Sequence, residues 1–165
     1  MRKIGQIFRF LIPVIALAAL VVFITGAGKQ RMTKKAFKAA YDRMVEAWNT
    51  GNVDAIDEFM APNCVTHVPP NPDIVGREAY KKYIRDTRND FPDFQVNEYE
   101  YILDGDIGAT QWTLRATQKD TGKQVSIIGS CVTKWVDGKC VEHWTYGDNL
   151  GMMLQLGFKL VPPEK

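Results

Sequence analysis

Cysteine and histidine are both scarce in this chain, which removes several kinds of chemistry at once. Three cysteines, Cys64, Cys131 and Cys140, cannot make an even disulfide framework, and none belongs to a C-x-x-C pair. With only His67 and His143 beside them, no local spacing suggests zinc, so no metal is expected. A basic face is missing as well. The formal charge is +2, but residues 1–38 contribute eight basic side chains and no acidic one; the remainder holds 13 basic against 19 acidic, a net charge of −6. Binding to phosphate backbones needs the opposite balance, so nucleic acid is excluded as a partner.

Long apolar runs are limited to one. Phe10 to Ile24 is interrupted only by Pro13, preceded by Arg2, Lys3 and Arg9, and followed by Lys29, Arg31, Lys34, Lys35 and Lys38. Its length falls a little short of the roughly 20 residues that span a bilayer, and both a signal peptide and a membrane anchor fit it. The basic flank has the look of a stop-transfer sequence, so the expectation is an N-terminal hydrophobic helix at 1–28 acting as an anchor. A basic juxtamembrane segment at 29–38 and a single domain at 39–165 follow. The larger basic cluster lies after the apolar run, which favours a cytoplasmic domain; an exported domain is the alternative. Roughly 130 residues remain outside the leader, about the size of one domain with one core.

The rest of the sequence reads as helices first and strands afterwards. Ala36, Phe37, Ala40, Tyr41, Met44, Val45 and Trp48 recur at three- and four-residue intervals, one buried helical face ending at Gly51. A short helix is expected over 53–60, stopped by Pro62, then a strand over 64–68, a rigid proline loop, and a third helix from Gly76 to about Phe91. Strands are expected at 94–104, 107–120, 122–136 and 139–146, joined by Gly-containing turns. Helices ahead of antiparallel strands mean an α+β domain. A two-residue turn at Asp137-Gly138 pairs Val136 with Lys139, Trp135 with Cys140 and Cys131 with Trp144. The last two cysteines then sit roughly 13 Å apart, too far to bridge, and all three are expected to be buried free thiols.

Several motifs resemble, in the same order, the SnoaL-like polyketide cyclase or ester cyclase family of the nuclear-transport-factor-2-like superfamily. They are Trp48-Asn-x-Gly-Asn-x-Asp-Ala, Asn63-Cys-Val-x-His67-x-Pro, Gly76-Arg-Glu-x-Tyr, Phe91-Pro-Asp93, Gln111-Trp-Thr-Leu, Asp137-Gly-Lys and Asp148-x-Leu-Gly-x-x-x-Gln-Leu-Gly. The resemblance implies a cone, or cystatin-like α+β barrel, in which a curved antiparallel sheet wraps around N-terminal helices and holds a small-molecule pocket. It further implies cofactor-independent acid–base chemistry of the cyclase or isomerase type, aldol-like, on a small carbonyl or polyketide-like compound.

Strand alternation groups Cys140, Glu142, Trp144, Tyr146 and Asp148 on one face, with Val141, His143 and Thr145 on the other, if the strand is regular. The resemblance maps the family's catalytic aspartate onto Asp148, where a carboxylate in an aromatic setting would serve as general base; capping the helix that follows is the structural alternative. It turns His67 toward the ligand, and a core histidine is the other reading. Gln118 stands where the family commonly has histidine in Gly-Thr-His, and an amide cannot shuttle protons near neutral pH. Trp112, Trp144 and Tyr146 are candidate walls for a flat substrate, and Glu142 a second carboxylate. The alternative to an enzyme is a membrane-tethered module of the same fold that binds a small hydrophobic molecule or forms a homodimer. An open cavity of about 300 Å³ or more, reached by Asp148, would distinguish the two.

Overall fold

The computed structural model describes residues 31–162. The expected apolar helix at 1–28 lies outside them; among the described residues, no helix is long and apolar enough to cross a membrane.

Helix α1 (Lys34–Thr50) starts where Thr33 accepts a hydrogen bond from the Ala36 amide at 3.2 Å and stops at Gly51, whose φ of 80° is available to glycine at little cost. Its buried stripe is Phe37, Ala40, Tyr41, Met44 and Ala47, close to the face the periodicity marks, though Ala36 is exposed. A single 3-10 helix (Val53–Glu58) follows, shorter than expected, because β1 (Met60–His67) begins ahead of Pro62. The strand tolerates that proline because it falls where the pairing with a neighbour slips out of register, between Met60 and Val65. Next come β2 (Ile74–Val75), α2 (Arg77–Asp90), β3 (Gln95–Asp104), β4 (Ile107–Thr117), β5 (Gln124–Val136), β6 (Lys139–Gly147) and a short α3 (Asn149–Gln155).

The strands form one open six-stranded sheet in the order β2-β1-β6-β5-β4-β3. Its neighbours are antiparallel except β1 and β6, which run parallel, a departure from the all-antiparallel expectation. Helix α1 covers the inner face so closely that a Cβ on Gly108 of β4 would lie 2.0 Å from Cε2 of Phe37. One buried cluster joins α1, α2, β1 and the 3-10 helix to Trp135 and Cys140; a second gathers Phe94, Leu114, Ala116, Val125 and Ile127.

Side-chain amides and guanidiniums fix the elements where backbone pairing ends. The Asn49 amide both accepts from Val96 N (2.7 Å) and donates to Val96 O (2.9 Å), tying the end of α1 to β3. Gln155 does the same for Ser126 on β5, at 2.7 and 3.1 Å, and Lys123 donates to Leu156 O, so α3 is strapped across the sheet beyond the end of β6. The Arg88 guanidinium donates to Trp48 O, Phe94 O and Pro92 O.

The β5–β6 hairpin begins in the expected register, with Val136 opposite Lys139 and Trp135 opposite Cys140, but Lys134 then pairs with Glu142. Val141 is therefore an extra residue, a β-bulge that shifts every later side chain of β6 to the opposite face. Cys131 lies opposite Thr145, not Trp144. The cysteines are free and buried, and the sulfurs that approach each other are those of Cys64 and Cys140, at 4.0 Å.

Candidate active site

Between the helices and the inner face of the sheet lies a cavity of about 240 Å³. Tyr41, Met44 and Trp48 of α1 and Tyr80 and Tyr83 of α2 form the helical wall; Trp112, Leu114, Ile127, Cys131, His143 and Thr145 form the sheet wall. Asn149 and Met152 of α3 close one end. Among the described residues, no lysine, arginine, aspartate or glutamate lines it, and no group of three or more side chains could hold a metal ion. The volume is somewhat below the roughly 300 Å³ at which ligand pockets usually begin.

The wall is rigid because its aromatic rings are committed to one another. Trp48 stacks on Phe94 at 4.9 Å, meets Tyr80 and Tyr83 edge-on, and donates Nε1–H to the Tyr80 hydroxyl at 3.1 Å. That hydroxyl donates in turn to the Met44 sulfur at 3.3 Å, and burial holds the phenol well above its usual pKa. Trp112 lines the cavity. It lies over a pair of glycines opposite each other on β5 and β6: a Cβ on Gly129 would sit 2.2 Å from the indole, and one on Gly147 at 3.1 Å. Its Nε1–H donates to Cys131 Sγ at 3.3 Å, and that thiol donates to Thr145 Oγ1 at 3.3 Å.

His143 is the residue that sequence alternation assigns to the wrong side. The Val141 bulge brings it inside, 3% exposed, between Thr66 of β1 and Thr133 of β5 and edge-on to Tyr80 at 5.8 Å. Neither ring nitrogen has a hydrogen-bond partner. Burial, aided by nearby His67, pushes the imidazole pKa down to about 4, so the ring is neutral at physiological pH.

The same bulge removes Glu142, Trp144 and Tyr146 from the cavity; they belong to the outer face of the sheet. His67 joins them there. Its ring stacks on Trp144 at 5.2 Å, Nδ1 meets Asp73 Oδ1 at 2.8 Å and Nε2 meets Glu142 Oε1 at 3.4 Å. Gln118 lies in the β4–β5 turn, where its side-chain oxygen accepts from Thr121 at 2.7 Å and its carbonyl from Gly122 N. The strand ends at Thr117, one residue too soon for Gln118 to share the inner face with Ala116. Asp148 is exposed and caps α3, accepting from Gly151 N at 2.8 Å, while its two neighbours Gly147 and Asn149 line the cavity. The carboxylate thus stands at the rim.

No regular alternation marks a bulge in advance. Val141 is β-branched and fits a strand on either face, so the signal for His143 was the ring itself: a second histidine inside a strand, next to Trp144.

Residues 38–156 match the SnoaL-like polyketide cyclase family. The chain is 29% identical over 140 residues to the aklanonic acid methyl ester cyclase DnrD of Streptomyces peucetius, covering 74% of this chain and 91% of that protein. Among solved structures it is similar to IdmH from Streptomyces antibioticus, with 28% identity, a TM-score of 0.64, and coverage of 73% of this chain and 98% of that one. TsrD from Streptomyces laurentii shares the fold at 20% identity, with a TM-score of 0.70 and coverage of 76% and 98%.

Proposed function

The chain belongs to the SnoaL-like polyketide cyclase family, and from that membership we propose that it closes a ring in a small, neutral carbonyl compound by cofactor-independent acid–base chemistry. The carrying observation is the cavity itself, aromatic, rigidly walled and, among the described residues, without a charged lining side chain. Water and free ions are disfavoured inside, while a planar enolisable compound loses little by entering. A base removes a proton from the carbon between two carbonyls, the resulting carbanion attacks a third carbonyl carbon of the same molecule, and the new alkoxide regains the proton. Atoms balance without a co-reactant. The volume favours one or two rings inside, with any larger body projecting past α3.

Asp148 is our candidate for the base. Supporting it is the position at the rim, flanked by two lining residues, and a cap bond that occupies only one carboxylate oxygen. Turnover of a panel running from one-ring β-keto esters that carry a third carbonyl to aklanonic acid methyl ester, the compound in the relative's name, would test the reading. Asp148→Asn keeps the cap but not the base, and turnover should fall by about two to four powers of ten. Equal turnover in wild type and variant would eliminate Asp148, and no turnover of any compound by the wild type would eliminate the cyclase reading.

The apolar run at 10–24 and the basic residues at 29–38 support a further part of the same proposal, that the domain at 39–165 works tethered to a membrane. Recovery of the intact chain in a detergent-free soluble fraction would overturn it.

A further inference from the structure

We propose that His143 is the group that meets the substrate's reacting carbonyl, donating a ring N–H hydrogen bond to its oxygen. The inference rests on the cyclase reading of the cavity and adds a residue to it.

Buried polar atoms in folded chains are almost always hydrogen-bonded, and an unmet pair on one ring needs a reason. Of the buried side-chain nitrogens and oxygens lining the cavity, among the described residues, those of His143 are the ones without a partner. The neighbouring groups do not supply one; the Thr66 hydroxyl beside the ring on β1 makes no hydrogen bond to it and is itself unpartnered. The Thr133 hydroxyl is already shared by Tyr41, Trp135 Nε1 and Gly108 O at 3.2, 2.9 and 3.3 Å, and the Tyr80 hydroxyl is held between Trp48 and Met44. Trp112 spends its donor on Cys131. The indole N–H groups of Trp48 and Trp112 are thus occupied, and His143 is the lining residue whose buried ring nitrogens are not.

A neutral imidazole carries one N–H donor and one lone pair. Its counterpart is a carbonyl oxygen, and the bond strengthens as negative charge gathers on that oxygen during ring closure. Among the described residues no lining charge competes, and the low-dielectric setting makes a single donor count for more than in water. The ring does not need to give up its proton: it polarises the carbonyl, the C=O electron pair moves to oxygen as the C–C bond forms, and the proton taken by the base returns to that oxygen. Because the wall is otherwise committed, the same contact would select carbonyl compounds over hydrocarbons of equal shape.

The test uses the full chain and two probes of similar outline, methyl 2-naphthoate and 2-isopropylnaphthalene. The wild type should bind the ester more tightly, and His143→Phe should lose about 5- to 100-fold for the ester while holding the hydrocarbon within about twofold. Nitrogen-15 NMR gives a second readout that needs no variant at that position. The two histidine rings are assigned with His67→Gln, and ester, but not hydrocarbon, should move the His143 ring nitrogens. Unmoved His143 resonances at saturating ester, no preference for the ester in wild type, or equal loss of both probes in a folded His143→Phe would each overturn the assignment. Carbonyl preference without turnover of any panel compound would retain the contact and discard the cyclase reading. Turnover unaffected in folded His143→Phe would do the reverse.

Discussion

Acid should destabilise this fold through one ring. In the folded chain burial holds His143 near a pKa of about 4, against 6.5 for the same group in water. As pH falls below about 6.5 the unfolded chain takes up a proton that the folded chain refuses, so stability present above that value is lost progressively down to about 4. Below that point both states are protonated and the loss is complete. At about 1.4 kcal/mol per pKa unit the full effect is about 3 kcal/mol, and about 2 kcal/mol of it is expressed by pH 5. The groups facing the ring are Thr66, Thr133 and Tyr80, none of which titrates in this range, with His67 the nearby charge that also opposes protonation. Asp57, held down by Lys81, and Asp93, held down by Thr117, also weaken toward acid, so the measurement must be differential. Urea unfolding of wild type and His143→Gln at pH 7 and pH 5 provides it. The wild type should lose about 2 kcal/mol more than the variant, a midpoint shift of about 1 M. Equal losses would refute the claim that the ring is buried and neutral.

Gly129→Ala would drive a methyl group into Trp112 and should destabilise the fold by about 1–3 kcal/mol or more in thermal melts, whereas Gly105→Ala, open on all sides at a φ of 59°, should cost only about 1 kcal/mol. Removing the α3 cap with Asp148→Ala should cost about 1 kcal/mol, and Asp148→Asn much less; identical melts for the two would argue against the cap. Alkylation of denatured, unreduced protein should modify Cys64, Cys131 and Cys140 alike; fewer than three mass additions would contradict the free thiols. Deleting Val141 removes the extra residue and leaves Glu142 opposite Lys134 and His143 opposite Thr133, so the variant should keep the native circular dichroism; recovery only as aggregate would contradict the bulge.

The elements were legible wherever the signal is local. Caps, glycine turns and the α1 stripe gave helices and hairpins near their true ends, and the motif order gave the family. The interior of the site was not legible, because one extra residue in β6 decides it. Alternation counted from Cys140 puts Glu142, Trp144 and Tyr146 inside; alternation counted back from Gly147 puts His143 and Thr145 there, and the second count is right. His67 depended on Asp73, just beyond the proline loop, and on Glu142, far away in sequence, which the parallel pairing of β1 with β6 brings within reach. Trp112 was readable since β4 pairs with β5 without interruption.

The strap that holds α3 separates where the lid sits from what the lid touches. Gln155, Lys123 and the Asp148 cap set its position through backbone atoms, and those bonds are indifferent to the side chains in between. Leu150, Met153 and Leu154 are exposed, and Asn149 and Met152 are the α3 residues that line the cavity, Met152 the apolar one. A change at Met152 therefore reshapes one end of the cavity with the lid still in place, so an ancestral or engineered chain could exchange one ligand for another there before the rest of the wall had to follow.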